Sequence, residues 1–197
     1  MGEKYGGRKF ETVFISRELP DDTRTAEIME LGVKFHKMGL LPAEEGGHAG
    51  NMSFRNHKGF VITAGGVNKG RLTPRNFVQV LSCNMDLKKV EAEGELEPSS
   101  ETFIHYLIYR ERADVNAIIH VHDKLVMQHF EKLKIKSTKA EHPYGTVELA
   151  YEVEKALGHQ RVIVVKGHGI ISLGKSPWEA GNMIMAAHQS AENAEKE

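Results

Sequence analysis

The chain has 197 residues, of which 40% are hydrophobic and 27% are charged, and its formal net charge is −1. This balance suits one globular domain with a buried core, and so small a net charge excludes a global field that would draw the protein to nucleic acid or anionic lipid. The single cysteine, Cys83, excludes an intrachain disulfide, and the sequence has no apolar leader or membrane-length stretch, so we expect a soluble cytoplasmic protein.

Helices and strands are predicted to alternate along the chain. Apolar residues at helical spacing indicate helices, and short runs of β-branched and aromatic residues indicate strands. In chain order the predicted elements are a polar lead-in (1–22), a helix from Thr23 ended by Gly39, a hairpin of strands 51–55 and 59–64, a helix over 72–82 entered through Thr73 and Pro74, an edge hairpin over 83–97, a helix over 99–113, a strand over 117–122, a helix over 123–134, a helix over 146–157, one or two buried strands over 161–174, and a closing helix over 176–197. This mixture predicts a single α/β domain over residues 23–197, with a central sheet between helices.

Two histidines stand one residue apart at the end of the strand NAIIHVH. On a strand, residues i and i+2 share a face with Cα atoms roughly 6.5 Å apart, so His120 and His122 can reach one cation. The alternative is that one imidazole is buried and hydrogen-bonded while the other is incidental. His168, between Gly167 and Gly169, favours the metal, because three histidines match a catalytic zinc site that keeps a fourth position open.

The remaining histidines have no comparable sequence context. We interpret them as surface or helix-face residues: His36, His48, His57, His105, His129, His142, His159 and His188.

The sequence Pro98-Ser99-Ser100-Glu101 has two interpretations. Serines cap a helix, and a glutamate in the first turn complements the helix dipole, so the motif can be purely structural. The same backbone N–H groups and hydroxyls also form a site for phosphate or carboxylate. In that case Glu101 would lie beside the anion, close enough to a neighbouring metal to move a proton.

Two glycine-rich segments, 46–55 and 62–66, offer further backbone amides. Each can be merely the approach to a hairpin. Neither contains a P-loop or a dinucleotide-binding glycine motif, so the sequence gives no support for nucleotide binding. Together with the two serines, they could supply donors to one anionic group.

These motifs occur in an order that resembles the class II aldolase/adducin head family. The resemblance covers roughly residues 23–190. The motifs that carry it are Gly50-Asn51-Met52-Ser53-Phe54-Arg55, Ile62-Thr63, Leu72-Thr73-Pro74, Glu97-Pro98-Ser99-Ser100-Glu101, His120-Val121-His122, Tyr144-Gly145-Thr146 and Gly167-His168-Gly169.

The resemblance implies a three-layer αβα sandwich around a mixed, largely antiparallel sheet. It implies zinc, or another divalent metal, held by His120, His122 and His168, with Glu101 as the acid/base. It further implies a homotetramer with active sites at subunit interfaces. The residues expected to bind the substrate, principally its phosphate, are Gly50, Asn51, Gly65, Gly66, Ser99 and Ser100.

This chain departs from the family pattern at Thr63-Ala64-Gly65-Gly66, where family aldolases usually have Thr-Pro-Ser/Thr-Gly, and so lacks a hydroxyl that would touch phosphate. The stretch after His122 is also shorter, and nothing there aligns with the tyrosine that serves as a proton donor in fuculose-phosphate aldolases.

The resulting hypothesis is an aldolase that cleaves or forms a C–C bond in a small ketose or ketose phosphate through a zinc-stabilised enediolate. A dehydratase or epimerase acting on a sugar phosphate at the same metal site is the alternative, although the epimerases typically carry Asp at the position of Glu101. A non-catalytic interaction module like the adducin head is disfavoured, because every metal-ligand position is filled.

Overall fold

The computed structural model describes residues 8–44 and 47–196. The strands in these ranges are β1 (Glu11–Ser16), β2 (Ala43–Glu44), β3 (Gly47–His48), β4 (Asn51–Asn56), β5 (Gly59–Thr63), β6 (Phe77–Asn84), β7 (Lys89–Glu93), β8 (Ala117–Val121), β9 (Lys136–Ser137), β10 (Val162–Val165) and β11 (Gly169–Gly174). The helices are α1 (Arg24–Lys37), α2 (Thr102–Glu111), α3 (Lys124–His129), α4 (Val147–Leu157) and α5 (Pro177–Glu195), with one-turn 3₁₀ helices at Lys69–Arg71 and Pro74–Asn76. None of the helices described is long and apolar enough to cross a bilayer.

Nine of the described strands form one sheet in the order β1-β7-β6-β5-β4-β8-β11-β10-β9. The pairs β1–β7 and β9–β10 are parallel, and the other neighbours are antiparallel. The predicted mixed, largely antiparallel sheet is therefore confirmed. Strands β4, β8 and β11 lie at its centre, and the short β2–β3 ribbon stands apart.

Helices cover both faces of the sheet. The apolar sides of α2 and α4, including Leu107 and Val153, pack on one face in a fully buried cluster. The apolar sides of α1 and α5, including Leu31 and Ile184, pack on the other face. Removing this apolar surface from water is the main force that holds the three layers together. The αβα sandwich expected from the resemblance is thus the fold of the chain.

The predicted helix over 72–82 is wrong. Thr73 and Pro74 do start a helix, and Thr73 forms a capping box with Asn76, but the helix ends after one 3₁₀ turn. The residues that follow, Phe77-Val-Gln-Val, are aromatic or β-branched except for Gln79, and they are buried as β6 between β5 and β7. Tertiary pairing therefore overrides a valid local helix-start signal.

The polar lead-in also contains regular structure. Residues 1–7 lie outside the described residues, but β1 forms the edge strand of the sheet and pairs with β7. The edge hairpin predicted over 83–97 is only partly right: a hairpin is present, but it is formed by β6 and β7 over residues 77–93. β1 pairs with β7, so β7 is not an edge. The helix predicted over 123–134 is shorter and ends at His129.

Candidate metal centre

Three histidines from two chain segments meet at one end of the central strands. His120 lies on β8, His122 follows that strand, and His168 occupies the tight turn between β10 and β11. The ring centroids are 4.8 to 5.0 Å apart, and one ligand atom from each ring lies within 4.8 Å of the others. The spatial grouping predicted from the H-x-H pattern and the glycine-flanked histidine is therefore present.

Glycines on both sides of His168 make this approach possible. Gly167 has φ +71°, a left-handed conformation that glycine adopts without strain. A Cβ on Gly169 would lie 2.7 Å from Cε1 of His120, so any side chain there would push the β11 backbone away from the histidines. The turn therefore brings backbone and imidazoles closer together than other residues would allow.

Hydrogen bonds orient two of the imidazoles. Nδ1 of His120 donates to the Ile170 carbonyl at 3.0 Å, and Nδ1 of His122 donates to Oε1 of Glu44 at 2.9 Å. Nδ1 of each ring therefore faces a hydrogen-bond acceptor, which leaves Nε2 as the nitrogen that can act as a metal ligand. The hydrogen bond from His122 holds the pKa of Glu44 below its ordinary value.

The buried Nε2 of His120 is the strongest sign that a cation fits here. Among the described residues it has no hydrogen-bond partner, although Oε2 of Glu101 lies 3.2 Å away. Burial lowers the pKa of His120 to about 3, against the opposing effect of Glu101, so the ring is neutral at physiological pH. A neutral, unsatisfied imidazole nitrogen beside two further imidazoles is a donor set that suits zinc.

Glu101 lies among the three histidines and is 5% exposed. Its Oε1 accepts a hydrogen bond of 2.6 Å from Nε2 of His168, and its Oε2 accepts one of 2.6 Å from the Asn51 amide. Burial opposes ionisation of this carboxyl, but the neighbouring His168 and the hydrogen bonds from His168 and Asn51 outweigh it and hold its pKa well below 4.5. The resting side chain is therefore a carboxylate.

A buried chain of hydrogen bonds continues behind Glu101. Oδ1 of Asn51 accepts from Nε2 of His105 at 2.6 Å, and Nδ1 of His105 accepts from the Ser53 hydroxyl at 2.6 Å, which the Tyr109 hydroxyl reaches at 2.8 Å. Burial lowers the pKa of His105 to about 4, so this ring is neutral as well. The chain fixes the Asn51 amide with its NH₂ towards Glu101.

Sequence reasoning missed this network. It placed His105 with the surface or helix-face histidines, but His105 is 1% exposed and lies deep against β4. Two signals were available: His105 is four residues after Glu101, one helical turn on, and Asn51 and Ser53 share a face of β4 by strand alternation.

A cavity of about 470 Å³ opens above the histidines. All the residues predicted to bind the substrate line it, namely Gly50, Asn51, Gly65, Gly66, Ser99 and Ser100. The side chain of Asn51, however, is committed to Glu101 and His105. Lys69, Lys124 and Tyr144 also line the cavity and were not among the predicted site residues.

Comparisons with known proteins identify the family of this chain. Residues 26–194 match the family described as the class II aldolase and adducin N-terminal domain. The chain is 36% identical over 137 residues to a methylthioribulose-1-phosphate dehydratase of Leptospira interrogans, covering 66% of this chain but only 51% of that protein. It is 31% identical over 148 residues to an L-fuculose phosphate aldolase of Methanococcus maripaludis, covering 68% and 77% respectively.

A solved structure extends the similarity to the fold. The L-fuculose-1-phosphate aldolase of Thermus thermophilus superposes with a TM-score of 0.67 at 26% identity, over 87% of this chain and 92% of that one. The match therefore spans most of both chains.

Proposed function

The chain belongs to the class II aldolase and adducin N-terminal domain family, and on that premise we propose that it is a zinc-dependent aldolase acting on a small ketose 1-phosphate. The observation that carries the proposal is the grouping of His120, His122 and His168 around the Glu101 carboxylate beneath a cavity. Function resides in such sites rather than in the fold, so an intact site favours an enzyme over a non-catalytic interaction module.

The three imidazoles are the residues that would hold the metal. In His120 and His122, Nδ1 is hydrogen-bonded to an acceptor of the protein, so Nε2 is the nitrogen available to a metal. A divalent cation bound there would supply Lewis-acid stabilisation of negative charge on the oxygens of the ketose. Glu101 now fills the space between His120 and His168, so we expect its carboxylate to move aside when substrate binds.

Glu101 is the group proposed to handle the proton at C3 of the ketose. In cleavage, the C4 hydroxyl gives up its proton, the C3–C4 bond breaks to release an aldehyde, and C3 takes up a proton in its place. In synthesis, C3 loses that proton before the bond forms. Glu101 is ionised at rest and so is ready to act as the base in synthesis, and once protonated it is the acid in cleavage.

The cavity offers donors for a phosphate at one side of this centre. Gly65 and Gly66 bring backbone close to the start of α2, where Ser99 and Ser100 lie. Backbone N–H groups at a helix start favour an anion. The two similar proteins just described are named for a methylthioribulose 1-phosphate and a fuculose phosphate, both phosphorylated ketoses.

A dehydratase is the second candidate, because a relative with that name is 36% identical to this chain. Dehydration of a ketose 1-phosphate also begins with removal of the C3 proton, after which the C4 hydroxyl leaves as water. The same carboxylate therefore serves both reactions. They differ at C4, where an aldolase needs a base for the hydroxyl and a dehydratase needs an acid.

The proposal is tested with zinc-loaded protein and a panel of ketose 1-phosphates, assayed in parallel for aldehyde release, water loss and epimer formation. Aldehyde release supports the aldolase, and a dicarbonyl product without aldehyde supports the dehydratase. Glu101→Gln should abolish either reaction while the protein still binds zinc. Folded protein that takes up no stoichiometric divalent metal would contradict the enzyme assignment altogether.

A further inference from the structure

We propose that Lys69 is a binding residue for the phosphate of the substrate, and that its ammonium group contacts the phosphate in the metal-site cavity. The inference rests on the proposed function for the presence of a phosphate ester. It assigns a role to a residue outside the metal ligands, the proton-handling glutamate and the predicted substrate-binding residues.

The first observation is an ammonium group that is buried with no carboxylate of the described residues in contact with it. Lys69 is 2% exposed, and its Nζ donates a hydrogen bond of 2.9 Å to the carbonyl of His48. Among the described residues, no carboxylate lies within 4.0 Å of this Nζ. Burial of a cation costs free energy unless an anion compensates it, and a single neutral carbonyl compensates only in part.

Burial also makes the ammonium group of Lys69 more acidic. Burial lowers the pKa of Lys69 to about 8, although Glu101 and Glu44 act in the opposite direction across the cavity. A dianion in the cavity would favour the charged ammonium more strongly than these carboxylates do, because it could make a direct contact.

The second observation is that the fold fixes the lysine in this place. Lys69 begins a one-turn 3₁₀ helix that follows the Gly65–Gly66 turn, and the side chain of Asn68 caps it. The turn packs so tightly on α1 that a Cβ at Gly32 would overlap the carbonyl oxygen of Lys69. With its backbone held against α1, Lys69 lines the metal-site cavity.

The third observation concerns the residues that line the cavity beside Lys69. Gly65, Gly66, Ser99 and Ser100 line the same cavity, and none of them carries a charge. The N–H of Gly65 already donates to the Glu97 carbonyl, so it is not free for an anion. Gly65 also brings no hydroxyl to the turn. A phosphate dianion held by neutral donors alone would be poorly compensated, and a lysine ammonium is a compact point charge that commonly binds phosphate.

A purely structural role for Lys69 makes a different prediction. The bond to His48 could simply tie the 3₁₀ turn to the β2–β3 ribbon. Replacing Lys69 would then lower stability and would impair phosphorylated and unphosphorylated ligands alike. A phosphate contact instead predicts a loss confined to phosphorylated ligands.

The test is calorimetric titration of zinc-loaded protein with inorganic phosphate, comparing wild type, Lys69→Met and Lys124→Met. Methionine keeps the length of the side chain without its charge, and Lys124 is an exposed lysine that lines the same cavity. We expect Lys69→Met to weaken phosphate binding at least tenfold and Lys124→Met less than threefold. Equal losses in the two variants would overturn the proposal, as would unchanged binding by Lys69→Met.

Steady-state kinetics provides a second readout. For Lys69→Met, kcat/KM should fall at least tenfold more for a ketose 1-phosphate than for the unphosphorylated ketose. If Lys69→Met does not fold, Lys69→Gln, which keeps a donor for the His48 carbonyl, is judged by the same two criteria. If wild-type protein binds phosphate but turns over no ketose phosphate, the proposed reaction is contradicted and the phosphate-binding role of Lys69 is not. If wild-type protein binds no phosphate, the role of Lys69 is overturned.

Discussion

His105 acts on Glu101 through the orientation of one amide. Its pKa of about 4 makes the ring neutral, and the Ser53 hydroxyl donates to Nδ1, so the single ring proton sits on Nε2 and points at Oδ1 of Asn51. That oxygen can only accept, so the Asn51 NH₂ must face Glu101. His105 is therefore a positioning residue that sets where the reactive carboxylate lies.

This role predicts different outcomes for two substitutions of His105. His105→Leu removes the donor and frees the Asn51 amide to turn over, so we expect kcat to fall about 100-fold, with KM and zinc affinity nearly unchanged. His105→Gln places an NH₂ close to the position of Nε2 and should recover much of the loss. Steady-state kinetics with zinc analysis measures both. A leucine variant with full kcat, or a glutamine variant no better than leucine, would contradict the role.

Glu44 supports His122 from the cavity rim. Its carboxylate accepts the Nδ1 proton of His122, which fixes the ring and raises the basicity of Nε2. We expect Glu44→Ala to weaken zinc binding by about 10- to 100-fold, as loss of such carboxylate partners commonly does. Competition with a chromogenic chelator measures the affinity. Glu30→Ala, at a position of α1 away from the site, is the matched control and should match wild type.

At the scale of elements, local signals predicted helices better than strands. Helix α4 is capped at its start by Thr146, whose side chain accepts from the Leu149 N–H, and at its end by Gly158, as the sequence indicated. The helix predicted over 72–82 was wrong because its helix-start residues begin only a single turn. The residues beyond that turn form a strand, which is stabilised by pairing with β5 and β7. Pairing between distant strands carries no signature within one short window, so β1 was missed for the same reason.

The packing of α1 on the Lys69 turn gives a prediction at this scale. Gly32→Ala adds a Cβ that would overlap a backbone carbonyl, whereas Gly181→Ala on α5 would meet only the flexible side chain of Leu31. Both changes gain helix propensity of about 1 kcal/mol. We expect Gly32→Ala to be the more destabilising by about 1–3 kcal/mol, and to weaken phosphate binding as well. Urea unfolding of both variants measures the difference. Equal stability would show that the turn can shift freely.

On the scale of the whole molecule, the site is assembled from segments far apart in sequence. Four segments meet at the site, namely β4, the start of α2, the end of β8 and the β10–β11 turn. They meet because β4, β8 and β11 are neighbours at the centre of the sheet. The sequence could propose the histidines and Glu101, since each lies in a short recognisable motif. It could not place His105 or Lys69 in the site, because their roles depend on burial and on partners that only the folded chain brings together.

That burial makes the stability of the metal-free protein depend on pH. His105 titrates near 6.5 in the unfolded chain but at about 4 when folded, and His120 at about 3. Between these values the unfolded state binds protons that the folded state does not. The stabilisation is therefore fully present above pH 6.5 and is lost as the pH falls towards the folded values. The loss is at most about 1.4 kcal/mol per pH unit for each histidine.

The window from pH 6.5 to 5 separates these histidines from the carboxylates of Glu101 and Glu44, whose pKa values are lowered and whose contribution is lost only below 4.5. Over it we expect wild type to lose up to about 2 kcal/mol more unfolding free energy than His105→Gln, which cannot take up the proton. Urea unfolding of metal-free protein at several pH values measures both curves. Parallel curves would show that His105 is protonated in the folded state. That result would contradict the claim that a neutral His105 ring orients the Asn51 amide.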